Sequence, residues 1–156
     1  YLKHFRLSKA LKKFTNLHQE QLLNFTTKQD YATLLRKTDQ IQLAENLLIH
    51  LDSISLISST TFPHELAKLY YSNGQMDQSI AAYKNAQERD QYNPVFAYGI
   101  ARQYAQKNQP EKAFVYLQKA MDRGFDLGWV FKYDSDLNAI RKSEKFREIE
   151  AAFLGK

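Results

Sequence analysis

The chain has 156 residues, 44% of them apolar, with ten tyrosines, ten phenylalanines and no cysteine. That is one domain's worth of chain, and the missing thiols exclude disulfides, thiol catalysis and cysteine-based zinc sites while leaving the compartment open. The net charge of +5 is local: Lys3, Arg6, Lys9, Lys12 and Lys13 lie in the first fourteen residues without an acid, and the rest carries 17 basic and 17 acidic residues, so nucleic-acid binding is not expected of the chain as a whole.

No apolar run approaches the ~20 residues needed to span a bilayer. The chain begins at Tyr1 rather than Met, so we read it as an excised domain or a processed product of a larger protein, and the absence of a secretory signal carries no weight. Residues 1–24 form a first segment. An amphipathic basic helix is predicted over 2–14, with Leu2, Phe5, Leu7, Leu11 and Phe14 as its apolar members, and residues 17–25 continue with Leu17, Leu22, Leu23 and Phe25. Asn16 is compatible with a helix end or a bend, so one long helix and two short ones both remain open.

In residues 25–59, Thr27 is a candidate N-cap with Asp30 three residues on to favour the first turn. A helix over 28–37 would bury Tyr31, Leu34 and Leu35. Asp39 would cap a second helix, whose stripe is Ile41, Ala44, Leu47, Leu48 and Leu51. The β-branched, polar stretch Ser53–Thr61 reads as a helix end plus a connection.

Residues 60–93 and 94–127 repeat one another in phase. Leu66-Ala67-x-x-Tyr70 returns 34 residues later as Ile100-Ala101-x-x-Tyr104, Ile80 as Phe114, Tyr83 as Leu117 and Ala86 as Ala120. Thr61 is expected to cap the first unit, with Pro63 in its first turn. Gly74 and Asn108-Gln109-Pro110 mark the inner turns, and Asn93-Pro94 opens the second unit, which Gly124 ends. Antiparallel helix pairs are predicted at 62–73/76–89 and 94–107/110–123. Ala32, Leu35, Ala44, Leu48 and Leu51 precede Ala67, Tyr70, Ser79, Tyr83 and Ala86 by 35 residues, so 25–59 is read as a degenerate third unit. Such a period is that of an all-α solenoid, whose hairpins bury their apolar faces only by stacking. Residues 128–156 leave the period. The apolar run Phe125, Leu127, Trp129, Val130 and Phe131 leads into them, so that 125–156 read as a short helix and a longer final one that cap the array.

The repeat resembles the tetratricopeptide repeat, with its pattern W-x-x-L-G-x-x-Y, then A-x-x-x-F and a closing Pro. The first unit offers Pro63-x-x-Leu66-Ala67-x-x-Tyr70 and Ser79-x-x-x-Tyr83; the second offers Ala97-x-x-Ile100-Ala101-x-x-Tyr104 and Ala113-x-x-x-Leu117. Pro63 and Ala97 stand at the Trp site, Ala replaces Gly, and the closing Pro is missing from both. The resemblance implies an α-α superhelix that holds a peptide or protein in a concave groove. Asp134-x-Asp136-Leu137-x-x-Ile140-Arg141-x-x-x-x-Phe146-x-x-Ile149 resembles a tail often found after such arrays in bacterial proteins.

Few residues point to chemistry. Asp134-x-Asp136-x-Asn138 begins like a calcium loop, but Ala139 stands at the glycine position and Lys145 at the bidentate glutamate, so we read the aspartates as helix caps. His4, His18, His50 and His64 have no second histidine three or four residues away, so no helix face offers two imidazoles to a metal. No H-E-x-x-H, G-x-S-x-G or phosphate-cradling glycine loop is present. The reading is of a non-enzymatic chain with no catalytic residues, metal or cofactor.

His64, Lys68 and Tyr71 lie at i, i+4, i+7 on the first helix of one unit, and Tyr98, Arg102 and Ala105, with Gln106 beside them, hold the same places one unit later. The resemblance places these positions on the groove. Lys68, Arg102, Tyr71 and Tyr98, with His64 and Gln106, are therefore the candidate ligand contacts, suited to an acidic or carboxylate-bearing peptide. Neither Lys68 nor Arg102 lies on the core stripe, so both are expected to be dispensable for folding. His64 and Gly99 stand where a carboxylate clamp for chaperone C-termini would want Lys and Asn, which argues against that ligand. The preferred reading is a protein-interaction domain with a protein or peptide partner, forming part of a larger protein. The alternatives are an adaptor that touches a membrane surface through residues 1–14, and a scaffold region appended to an enzyme.

Overall fold

A computed structural model of the chain describes residues 2–19, 25–55, 59–126 and 128–154. In chain order the helices are α1 (Leu2–Gln19), α2 (Phe25–Lys37), α3 (Ile41–Ser53), α4 (Thr61–Ser72), α5 (Met76–Arg89), α6 (Pro94–Gln106), α7 (Pro110–Asp122), α8 (Gly128–Tyr133) and α9 (Glu144–Leu154), with a 3-10 turn at Ser135–Leu137 before α9. No strand occurs among the described residues. The fold is all-α. Helices α2 and α3, α4 and α5, and α6 and α7 pack as successive hairpins, and each hairpin packs on the next through α3 on α4 and α5 on α6. The bounds of α4 to α7 lie within one residue of those predicted from the 34-residue phase.

The inner turn of every hairpin is built alike. Asp39, Gly74 and Asn108 all have positive φ (64°, 74° and 53°). The following glutamine then donates its backbone N–H back to the third-last helical carbonyl: Gln40 to Leu35 at 2.9 Å, Gln75 to Tyr70 at 2.8 Å and Gln109 to Tyr104 at 2.9 Å. A left-handed residue followed by this long back-bond satisfies carbonyls that a helix end leaves orphaned. Gly, Asn and Asp are the residues that tolerate it at least cost. Tyr70 and Tyr104 are thereby in equivalent places.

The caps differ from expectation. Thr27 lies inside the first turn of α2, because that helix begins at Phe25. Asp39 is spent on the left-handed turn, and Gln40 stands at the N-cap of α3. Thr61 is the first residue of α4; Thr60 precedes it, and Ser59 Oγ accepts the Thr61 N–H. Asn93 does cap α6, accepting the Val95 N–H at 3.1 Å ahead of Pro94. The open question at Asn16 resolves to one continuous helix through Gln19; the continuation at 20–24 lies outside the described residues.

The core is a strip of three clusters between layers. One joins α2, α3 and α4, with Leu11 and Phe14 of α1 packed on its edge. The second runs through α4, α5 and α6, and the third through α6, α7 and the cap, where Leu137, Ile140, Phe146 and Ile149 are buried. Small residues recur where helices approach: Ala32, Ala67 and Ala101 on the first helices, and Ala44, Ser79 and Ala113, then Ala86 and Ala120, on the second, all buried. Ser79 is the polar member. It donates to the Ala67 carbonyl at 2.7 Å and accepts from buried Gln103 Nε2 at 2.8 Å, so its hydroxyl is satisfied. Because Ala101 has no exposed surface, Ala101→Leu should overpack this crossing and cost about 1–3 kcal/mol. A denaturation midpoint equal to that of the parent chain would refute the register.

Candidate functional site

Helices α4 and α6 occupy equivalent places in consecutive hairpins, so residues one repeat apart stand side by side. Tyr71, near the end of α4, meets Arg102 and Gln106 of α6, and Arg102 also lies against Tyr98. All four converge on two carboxylates of the turn that follows α8. Tyr71 donates its hydroxyl to Asp136 Oδ2 at 2.6 Å. Gln106 Nε2 donates to Asp136 Oδ1 at 2.6 Å and to Tyr71 Oη at 2.9 Å. Arg102 Nη2 donates to Asp136 Oδ2, and its Nε lies 3.1 Å from Asp134 Oδ2. Tyr98 donates its hydroxyl to Asp134. The guanidinium also lies over the Tyr71 and Tyr98 rings, 5.3 and 5.8 Å from their centroids, within range of a cation–π attraction.

The cap shapes its own acidic pair. Asp134 Oδ1 accepts the Asp136 N–H at 2.9 Å, and Arg141 Nη2 donates to the Asp134 carbonyl at 2.6 Å. The capping role read for Asp134 is thus present, together with contacts to α4 and α6 that the sequence does not announce. Leu137 follows the pair and is fully buried.

The electrostatics are those of a shielded, charge-matched contact. Burial and then the Asp134 carboxylate drive the Tyr98 phenol far above its ordinary pKa. Tyr71 is raised by burial and then by Asp136, against opposition from Arg102 and Gln106. Both phenols therefore stay protonated as donors at neutral pH. Burial works against the Arg102 charge, but Asp134 and Asp136 outweigh it and hold the guanidinium above its usual pKa.

The other two candidate contacts lie apart from this centre. His64 is wedged between the Tyr83 ring at 5.7 Å and the Phe96 ring at 5.4 Å, centroid to centroid. Burial and then the Lys68 charge lower its pKa, so at neutral pH it is an uncharged aromatic spacer. Lys68 pairs with Glu65 one turn back on its own helix. Ala105, the third member of the α6 stripe, is buried, and Gln106 takes its place on the face. Of the two cations, Arg102 is the only one paired with Asp134 and Asp136 among the described ion pairs, so its loss is expected to cost more than that of Lys68. No three His, Asp or Glu side chains are grouped as a metal would need among the described residues.

In α1, Leu11 and Phe14 face the chain's own core. Phe14 stacks on Tyr31 with centroids 6.0 Å apart, and the Thr15 and Tyr31 hydroxyls are 3.1 Å apart. Arg6, Lys9, Lys12 and Lys13 are exposed. No described helix is long and apolar enough to cross a membrane.

Sequence reasoning passed over three features. The inner-turn glutamines recur at 40, 75 and 109, a spacing of 35 and 34 that the repeat alignment already contains. Arg89 of α5 forms a fork onto Asp52 of α3, at 2.6 and 2.8 Å, and also donates to the Ser59 carbonyl at 2.8 Å, tying two hairpins and their connection together. Its only sequence signal is its place at the end of a helix. The third is the contact of the acidic pair, read from sequence only as helix caps, with the α4 and α6 stripe; its sign, opposite to that of Lys68 and Arg102, is the cue that could have joined them.

No protein-family model matches the chain, and no curated protein matches it in sequence. Solved structures do. A crystal structure of MamA aligns with a TM-score of 0.73 over 98% of this chain and 90% of that one, at 11% identity. YrrB, described as a tetratricopeptide protein with an unusual peptide-binding site, aligns at 0.66 over 81% of this chain and 64% of that one, at 22% identity. SycD, a type III secretion translocator chaperone of Yersinia enterocolitica, aligns at 0.60 over 83% of this chain and 91% of that one, at 15% identity. The chain thus spans just under two thirds of YrrB and most of the other two. With the 34-residue phase, these likenesses give it a tetratricopeptide-type fold.

Proposed function

We propose that the chain is a non-enzymatic protein-interaction domain, part of a larger protein, that binds an acidic peptide or protein segment across the α4 and α6 faces. The observation that carries this reading is the convergence of Tyr71, Tyr98, Arg102 and Gln106, from two stacked hairpins, on two carboxylates. A surface that holds acidic chain in this way has the donors such a ligand needs. The likeness to YrrB and SycD supports it, since the first is described with a peptide-binding site and the second as a chaperone. Lys68 extends the face from α4, and His64 gives it an uncharged edge.

Panning a random peptide library on the immobilised chain tests the reading. Acid-rich peptides should be enriched, and Lys68→Glu should weaken them about tenfold, which is ~1.4 kcal/mol. Lys68 makes only a same-helix ion pair, so its loss leaves the fold intact. Enrichment of neutral or basic peptides, or binding indifferent to Lys68→Glu, would count against it.

A second reading rests on α1. Its exposed basic side chains, with Leu11 and Phe14 turned to the core, would meet an anionic lipid surface by charge alone and without insertion. Sedimentation with anionic vesicles should then be lost between low and high salt and on deletion of residues 1–14. No sedimentation of the intact chain at low salt would remove this reading.

A further inference from the structure

The α6 half of the proposed binding face is already filled, and its occupant has the chemistry of a ligand. Asp134 and Asp136 stand two residues apart, and a buried leucine, Leu137, follows them directly. Each carboxylate takes separate donors: Tyr98 donates to Asp134, which the Arg102 guanidinium also approaches as an ion pair without a hydrogen bond from Nε, while Tyr71, Gln106 and Arg102 Nη2 donate to Asp136. The Arg102 fork spans both, which neutralises two like charges held close together. The donors come from repeats α4 and α6, and the acceptors come from beyond the array, so the contact joins two separately built parts of the chain. The segment is a single 3-10 turn of three residues, and the short α8 before it packs on α9. The Arg102 side chain keeps 31% of its surface exposed, so solvent, and with it a competing carboxylate, reaches the contact.

We infer that this face is a receptor for the pattern Asp-x-Asp followed by a large aliphatic residue, and that Asp134–Leu137 is its internal occupant. An external acidic peptide of this pattern competes with that segment for the same donors. The spacing selects the ligand. Two carboxylates two residues apart both sit against one guanidinium, Asp136 by a hydrogen bond from Nη2 and Asp134 by charge, and each also accepts from one phenol; a single carboxylate leaves the other phenol unserved. This inference rests on the interaction reading above and narrows it to one ligand pattern and one competitor. The apparent affinity of the intact chain is reduced by the fraction of time its own segment sits in the face.

The probe is a fluorescent peptide of residues 131–139, Phe-Lys-Tyr-Asp-Ser-Asp-Leu-Asn-Ala, read by anisotropy against the full chain. The chain carrying Asp134→Asn and Asp136→Asn should bind it at least tenfold more tightly than the parent chain. A peptide with both aspartates replaced by Asn should bind neither, and Arg102→Gln added to the neutralised chain should abolish binding. Asp136→Asn alone keeps the Asp134 cap of the turn and serves the comparison if the double variant does not fold. Equal affinity of the parent and neutralised chains overturns the inference, as does binding that survives Arg102→Gln. Loss of the fold in both acid variants overturns it too, because a segment the fold cannot release is no competitor. If panned acidic peptides bind the chain while the 131–139 peptide binds no variant, the interaction reading stands and self-occupancy falls; if neither binds, both fall.

Discussion

Gly99→Ala should destabilise the chain by about 1–2 kcal/mol, although alanine is the better helix former by up to ~1 kcal/mol. A Cβ at position 99 would lie 2.5–2.8 Å from Cζ, Cε1 and Cε2 of Tyr83. That ring is 6% exposed and has His64 packed beside it at 5.7 Å, so it cannot swing aside freely. Overpacking of this kind costs about 1–3 kcal/mol, which outweighs the propensity gain. The repeat explains the arrangement. Leu48 and Leu117 hold the places equivalent to Tyr83 in the other units, so the larger ring here is accommodated by a missing side chain on the next helix. Tyr83→Leu should therefore relieve Gly99→Ala, and the double variant should lose less stability than the two single changes together. With roughly 2–4 °C per kcal/mol for a chain of this size, thermal melts resolve the effect. A higher melting temperature for Gly99→Ala would refute it.

Arg102→Ala should cost about 1–3 kcal/mol and loosen the cap, whereas Lys68→Ala should cost under about 1 kcal/mol. The difference lies in what each change leaves behind. Lys68 abandons a carboxylate on its own helix. Arg102 abandons two, whose side chains are only 12–13% exposed. Stripping the partner from a buried ion pair costs ~3–5 kcal/mol; the one-third exposure of the guanidinium reduces that here. Limited proteolysis should then cut within 126–143 in Arg102→Ala and spare the same stretch in Lys68→Ala. Equal melting temperatures and equal cleavage for the two variants would refute the assignment.

The fold was legible because its code is periodic. Ala67 with Ala101 and Ala86 with Ala120, all fully buried, mark close helix crossings at a fixed interval. Helix starts were less legible. In these hairpins the left-handed residue that closes one helix dictates where the next begins, so Asp39 serves the turn and leaves the N-cap position to Gln40. The candidate site was legible on one side only. Spacing, with the place the tetratricopeptide resemblance gives it, nominated Tyr71, Tyr98 and Arg102, with Gln106 beside them, and these four side chains converge on the acidic pair. It also nominated His64, which an aromatic slot between Tyr83 and Phe96 claims instead. The occupant escaped notice because Asp134 and Asp136 stand outside the repeat, some thirty residues from Arg102, where no periodicity links donor to acceptor.

The face's capacity to hold acidic chain is tested most directly by a double-mutant cycle. The parent chain, Arg102→Gln, Asp136→Asn and the double variant are unfolded in urea and their stabilities compared. A guanidinium and a carboxylate in contact should couple by about 1–2 kcal/mol, so the double variant should be more stable than the sum of the single changes predicts. A coupling of zero within error would place the acidic segment off the α4 and α6 faces and contradict the reading of that surface as a carboxylate receptor.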